Sequence, residues 1–205
     1  MNEPDAKAQR IAANHDFKRK AILGAARTIV QRSGPQALTM RAVAAEAGYA
    51  PGAVYFYYQG KDEIAAALVA EELATLARRL KDADAPLTHA SAAHRIATLA
   101  EETFKSITAE SHLLDLAAEM FDGGHVPPEA ERLLNGKLIS ALTALGAPAN
   151  ALTEADADSR RLTLCLAAMV LGAAVLQRSG RLDMLGVDAQ DVLRFGVDRL
   201  AADAA

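Results

Sequence analysis

The 205-residue chain predicts an all-helical fold, and three observations carry that expectation. Alanine, leucine, glutamate and arginine dominate the composition, β-branched residues are few, and tryptophan is absent. Apolar residues recur at intervals of three and four, the spacing of a helix face. About half the chain (51%) is apolar, which suffices for a sizeable core in one domain or two small ones.

The elements follow in order. Residues 1–15 lack a steady apolar period and read as a flexible N-terminal arm. A first helix is expected from about Asp16 to Ser33, with Ile22, Ala25, Ala26 and Ile29 on one face and Gly34-Pro35 as its stop. A second, short helix starts at Thr39, a good N-cap, and ends at Gly48, where glycine tolerates the left-handed conformation. Tyr49-Ala50 makes a turn, and Pro51 suits the first turn of a third helix over "PGAVYFYY". Two short helices across a tight glycine turn form a helix-turn-helix. A fourth helix opens at Lys61 and runs to about Lys81, with Ile64, Leu68, Val69, Leu73, Leu76 and Leu80 at helical spacing. Five more are expected at about 90–109, 112–121, 128–145, 157–178 and 188–202. The division is therefore an arm (1–15), a helix-turn-helix domain (16–63) and a helical body (64–205).

Charge is distributed unevenly. Through Lys61 there are nine Lys and Arg against four Asp and Glu, while the remainder carries 13 against 22. A basic head on an acidic body suggests that the head alone meets a polyanion. Cys165 is the single cysteine, which excludes an intrachain disulfide and a cysteine-rich zinc site, and a reducing cytoplasm fits. It lies in an apolar run and reads as inert packing. The N-terminus lacks the apolar stretch of a secretory signal, and the run Leu164 to Leu176 is too short to span a bilayer, so no membrane association is expected. His15, His89, His94, His112 and His125 show no paired metal spacing, and no nucleophile, P-loop or dinucleotide motif occurs. Neither metal, cofactor nor enzymatic activity is expected.

The aromatic cluster is the least generic feature. Tyr49, Tyr55, Phe56, Tyr57 and Tyr58 fall within ten residues. On a 3.6-residue period Val54 and Tyr58 complete a small core, whereas Tyr55 and Tyr57 can present hydroxyls outward. In a helix-turn-helix the second helix enters the DNA major groove. Thr39, Arg41 and Lys61, near helix starts, then offer side chains and free N–H groups to phosphates.

This stretch resembles the DNA-binding domain of the TetR family of transcriptional repressors. That family's pattern is Thr-x-Arg-x-Ile-Ala-x-x-Ala-Gly-Val-Ser, then Gly-x-Leu-Tyr-x-Tyr-Phe and Lys-x-x-Leu. Thr39, Arg41, Val43, Ala44, Ala47, Gly48, Gly52, Val54, Tyr55, Tyr57, Tyr58, Lys61 and Ile64 match it, over about residues 18–64. Tyr49-Ala50 replaces Val-Ser, removing the hydroxyl that would cap the third helix. Pro51, Gly52 and Ala53 stand where base-reading side chains usually lie, so direct readout is left to Arg41, thymine-methyl contact and DNA shape.

The resemblance implies a cytoplasmic, ligand-responsive repressor that binds a palindromic double-stranded DNA operator as a homodimer. The DNA-binding candidates are Thr39, Arg41, Ala50, Pro51, Gly52, Ala53, Tyr55, Tyr57 and Lys61. It also implies an effector pocket in the body, whose candidates on the fifth, sixth and eighth helices are Phe104, His112, Leu116, Met120, Phe121 and Met169, suited to a small apolar or amphipathic molecule. The last two helices would pair across the dimer through Ala168, Gly172, Val175, Val192, Phe195 and Gly196. A constitutive regulator without an effector, or an activator, is the alternative.

Overall fold

The computed structural model describes residues 3–109, 111–121, 126–151 and 156–203, and among them no strand occurs. The α-helices follow in order: α1 Glu3–Ser33, α2 Met40–Ala47, α3 Pro51–Val54, α4 Lys61–Asp84, α5 Ala92–Ala109, α6 Ser111–Phe121, α7 Pro128–Gly146, α8 Asp156–Arg178, α9 Arg181–Leu185 and α10 Ala189–Asp203. The chain divides into two compact units, one of residues up to Val69 with His112–Leu134, the other of Ala70–Ser111 with residues from Asn135 onward.

Three expectations about secondary structure change. The segment expected as an arm is helical from Glu3, because alanines and long polar side chains favour a helix even where no apolar stripe marks one. α3 is a single turn, Pro51–Val54, and residues 55–57 continue as a hydrogen-bonded turn instead of the expected helix over 51–58. A run of consecutive aromatics has little helical preference to extend it. α9 was not expected. It fits between Gly180 and Gly186, both left-handed (φ 68° and 67°), a pair that reads in sequence as simple helix punctuation.

In the first unit α1 packs on α2 and α2 on α3. The buried core joins Ile22, Leu23, Ala26, Ile29 and Val30 of α1 with Leu38, Val43, Ala44, Val54, Tyr58, Ile64, Ala65 and Leu68. Leu116 of α6 belongs to the same core, with Met120 packed against it. The edge of this α6 cover is held by Gln36, whose amide donates to the Glu119 carboxylate.

In the second unit α5, α8 and α10 pack pairwise. Their buried residues include Ile96, Leu99 and Phe104, Leu162, Leu166 and Val170, and Leu193 and Val197. Arg95 donates from Nε and an Nη to both carboxylate oxygens of Asp84, at 2.7 and 2.6 Å, fastening α5 to the end of α4. These hydrogen bonds raise the Arg95 pKa above its ordinary value; burial opposes the shift and the Asp84 charge adds to it.

α8 has two faces. Leu162, Leu166, Val170, Ala173 and Ala174 are buried, whereas Leu164, Leu171, Val175 and Leu176 are exposed. Cys165, expected as buried packing, is exposed on it, because the apolar run is longer than one buried face can use. Ala157–Arg178 is long and apolar enough to cross a membrane by length and composition, a third of it being buried inside the protein.

Candidate nucleic-acid interface

The site is built from three short segments. Thr39 has extended backbone dihedrals, and its Oγ1 accepts from the Ala42 N–H at 3.1 Å, which caps α2. At the other end Gly48 takes φ 72°, ψ 27°, and the N–H of Tyr49 donates to the Ala44 carbonyl at 2.8 Å. That left-handed residue turns the chain sharply into α3. Ala50 supplies no side-chain cap, as its methyl requires, and Pro51 starts the helix with its φ already set. Val54 is fully buried and Tyr58 is 2% exposed, so α3 and the following turn are anchored from beneath.

With those anchors inward, the other residues face out. Thr39, Arg41, Ala50, Pro51, Gly52, Tyr55 and Lys61 are exposed; Ala53 and Tyr57 are half-buried. The exposed row carries two cations, one tyrosine hydroxyl and a side-chain-poor patch of Pro51 and Gly52, with half-buried Ala53 beside it. Such a surface can hold phosphates and press an apolar face against bases, with little hydrogen-bond readout of its own.

Beneath it lies an arrangement that the sequence reading missed. The Arg19 guanidinium sits 4.1 Å above the Tyr58 ring, donates to the Tyr57 carbonyl, and pairs with Glu63 at 3.4 Å. The other Glu63 oxygen accepts from the Gln59 N–H at 2.7 Å, one residue outside the usual capping box. Arg19 and Glu63 thus fix the Tyr55–Gln59 turn between α3 and α4. "FKRK" marked basic character at Arg19, but nothing local in the sequence joins it to partners 38 to 44 residues away. His15 stacks against Tyr57, with centroids 5.1 Å apart, and lies 6.4 Å from the ring of Phe56, which is 77% exposed.

A cavity of about 650 Å³ in the first unit is lined by His15, Arg19, residues 55–59, Glu63 and the start of α7 at Arg132 and Leu133. Another, of about 360 Å³ in the second unit, lies between α7 and α8 and is lined by Ile139, Leu142, Thr143, Ser159, Thr163 and Leu164. Neither is lined by any of the six effector candidates. Leu116 and Met120 serve the first unit's core, and His112 is exposed on the same helix. Phe104 is buried in the second unit, and Met169 lies against Gly196, where an added Cβ would stand 2.1 Å from its sulfur. The Phe121 side chain and His125 lie outside the described residues. Of the dimer candidates, Ala168, Gly172, Val175 and Phe195 are exposed, and Val192 and Gly196 are half-buried. Among the described residues no group of three or more His, Cys, Asp or Glu is placed to hold a metal ion.

Residues 22–68 match the family model of bacterial regulatory proteins, tetR family. No curated protein matches the chain. Among solved structures, the chain is similar to a Rhodococcus protein of unknown function at 23% identity and TM-score 0.72, covering 91% of this chain and 94% of that one. It is similar to FadR from Bacillus subtilis in complex with stearoyl-CoA at 16% identity and TM-score 0.64, over 89% and 97% of the two chains. A TetR family transcription regulator from Marinobacter aquaeolei gives 16% identity and TM-score 0.62, over 94% and 97%. The family's signature lies on the segment that builds this surface: residues 22–68 are a DNA-binding segment of the tetR-family type, on a fold shared with these structures along about nine tenths of the chain.

Proposed function

We propose that this regulator represses transcription in the cytoplasm by binding an inverted-repeat DNA operator as a homodimer, and that a small apolar or amphipathic effector releases it. One observation carries the DNA-binding part: Arg41, Tyr55 and Lys61 are exposed around Pro51 and Gly52, while Val54 and Tyr58, within the same turn of chain, are buried. Burial of both sets would have made the aromatic cluster ordinary core. Lys61, Tyr57 and Thr39 are assigned to phosphates, Thr39 through the N–H groups that its cap leaves beside it. Arg41 is assigned to backbone or base edge, and Ala50, Pro51, Gly52 and Ala53 to apolar contact in the groove.

Assembly through α8 and α10 is supported by the apolar side chains left outside the second unit's core, Val175 at 47% and Phe195 at 65% exposure among them. Ala168 and Gly172 on the same α8 surface permit close approach of a two-fold mate, with Val192 and Gly196 beside Phe195 on α10. For the effector, the support is the fold: FadR from Bacillus subtilis holds stearoyl-CoA, an amphipathic molecule, on a chain of this architecture. Phe104 and Met169 are the lining candidates in the second unit. An effector releases DNA only by binding the DNA-free conformation more tightly.

The test is titration of the purified protein onto the DNA flanking its own gene, across salt concentrations. Binding to an inverted repeat is expected, and Lys61→Ala should weaken it on every sequence and lower the log–log salt slope by about 0.9 for each phosphate that is no longer neutralised. Unchanged affinity and slope in that variant would remove Lys61 from the interface.

A further inference from the structure

We propose that the N-terminal half of α1 is a second DNA-contacting element, which lays Lys7, Arg10, Asn14 and Lys18 along the phosphate backbone beside the site held by α2 and α3. The inference rests on the DNA-binding reading above and extends its footprint. α1 runs 12 residues beyond His15, to Glu3, about 18 Å of helix. Every side chain from Lys7 to Asn14 is exposed, Ile11 by 62%, so this stretch buries no stripe of its own. A helical stretch that buries no apolar stripe and lacks a tertiary partner is marginal at this length in water, and its natural support is a partner outside the fold.

The chemistry of that partner follows from the helical arrangement. At 100° per residue, Lys7, Arg10, Asn14 and Lys18 fall within an arc of about 80°, with Asp5 and Asp16 on the opposite side and Glu3, at the helix start, on the same side. None of these cations takes part in an ion pair among the described residues. The stripe also stands in the right place. His15, about a quarter-turn around the helix, rests on the rings of Tyr57 and Phe56, so the extension emerges beside the Tyr55–Gln59 turn and its exposed hydroxyl. The contact is electrostatic and sequence-independent, made by side chains along the helix and not by its free N–H groups. It adds reach: about 18 Å corresponds to roughly five base pairs on each half-site.

The test uses the full-length protein and a duplex carrying its operator with about ten flanking base pairs on each side. In Lys7→Gln/Arg10→Gln, four cations are removed per dimer. The slope of log affinity against log salt should fall by about three to four units, affinity near 0.1 M salt should drop at least about tenfold, and hydroxyl-radical protection should recede by up to about five base pairs per half-site. Gln9→Ala, on the face away from the stripe, should change none of these, and circular dichroism should show equal helicity in both variants. Retention of slope and protection by the double variant overturns the proposal, as does an equal loss in Gln9→Ala. If the unaltered protein binds no inverted repeat, the underlying DNA-binding reading fails instead, a result distinguishable because it needs no variant.

Discussion

Leu116→Ala tests whether α6 is part of the DNA-reading core. Leu116 is 3% exposed and sits among Ile22, Val43, Val54, Tyr58, Ile64 and Leu68. Truncation removes three buried carbons, about 2.4 kcal/mol at roughly 0.8 kcal/mol for each, and the cavity left behind brings the expected loss to about 3–4 kcal/mol. Out of a total stability of about 5–15 kcal/mol that is a large fraction. The composition supplies a selective probe, since there is no tryptophan and all four tyrosines lie between positions 49 and 58. Tyrosine fluorescence during urea unfolding therefore reports the first unit alone. Its transition should shift to lower urea at fixed protein concentration, while Leu133→Ala, at a side chain 51% exposed, should shift it by under about 0.5 kcal/mol. A loss below about 1 kcal/mol for Leu116→Ala, with the slope of the transition unchanged, would show that α6 does not complete this core.

Gly48→Ala should destabilise the same tyrosine transition by about 1–2 kcal/mol, because alanine must adopt φ near 72° there, and operator affinity should fall with it; a neutral result would mean that the turn relaxes freely. Phe195→Glu should convert the proposed dimer to monomer in sedimentation velocity and abolish tight binding to a full inverted repeat; a dimer that persists would move the interface elsewhere. Asp84→Asn removes the charge facing Arg95, and far-UV thermal unfolding should register a loss of about 1–2 kcal/mol, since both side chains are under one-fifth exposed and doubly hydrogen-bonded; no loss would place the pair among those that merely break even.

What was legible in the sequence was local. Thr39 and Gly48 bracket α2 by chemistry that acts within four residues, a hydroxyl cap and a left-handed glycine, and both occur as expected. Val54 and Tyr58 followed from helical period and are buried. The rest depended on distance along the chain or on an absent signal. Arg19 meets Tyr57, Tyr58 and Glu63 only after folding, and Leu116 reaches its core from beyond α5. The start of α1 carries no apolar period, so its helix could not be read from a buried face. The run from Leu162 to Leu176 announced a helix apolar on most sides; which side is buried was set by α5 and α10, so Cys165 could not be placed inside or outside from its neighbours in sequence.

The discontinuity of the first unit also sets a schedule for biosynthesis. Ile22, Val43, Val54 and Ile64 leave the ribosome well before Leu116 and Met120, which cover them. At about 5–20 residues per second, the roughly 45 intervening residues take some 2–9 s to synthesise. During that interval the aromatic turn and α1 lack one wall, and exposed apolar surface of this kind is where chaperones bind nascent chains. Codon usage and translational pausing between residues 70 and 111 therefore bear on the yield of DNA-competent protein, although that stretch contributes none of the residues assigned to DNA.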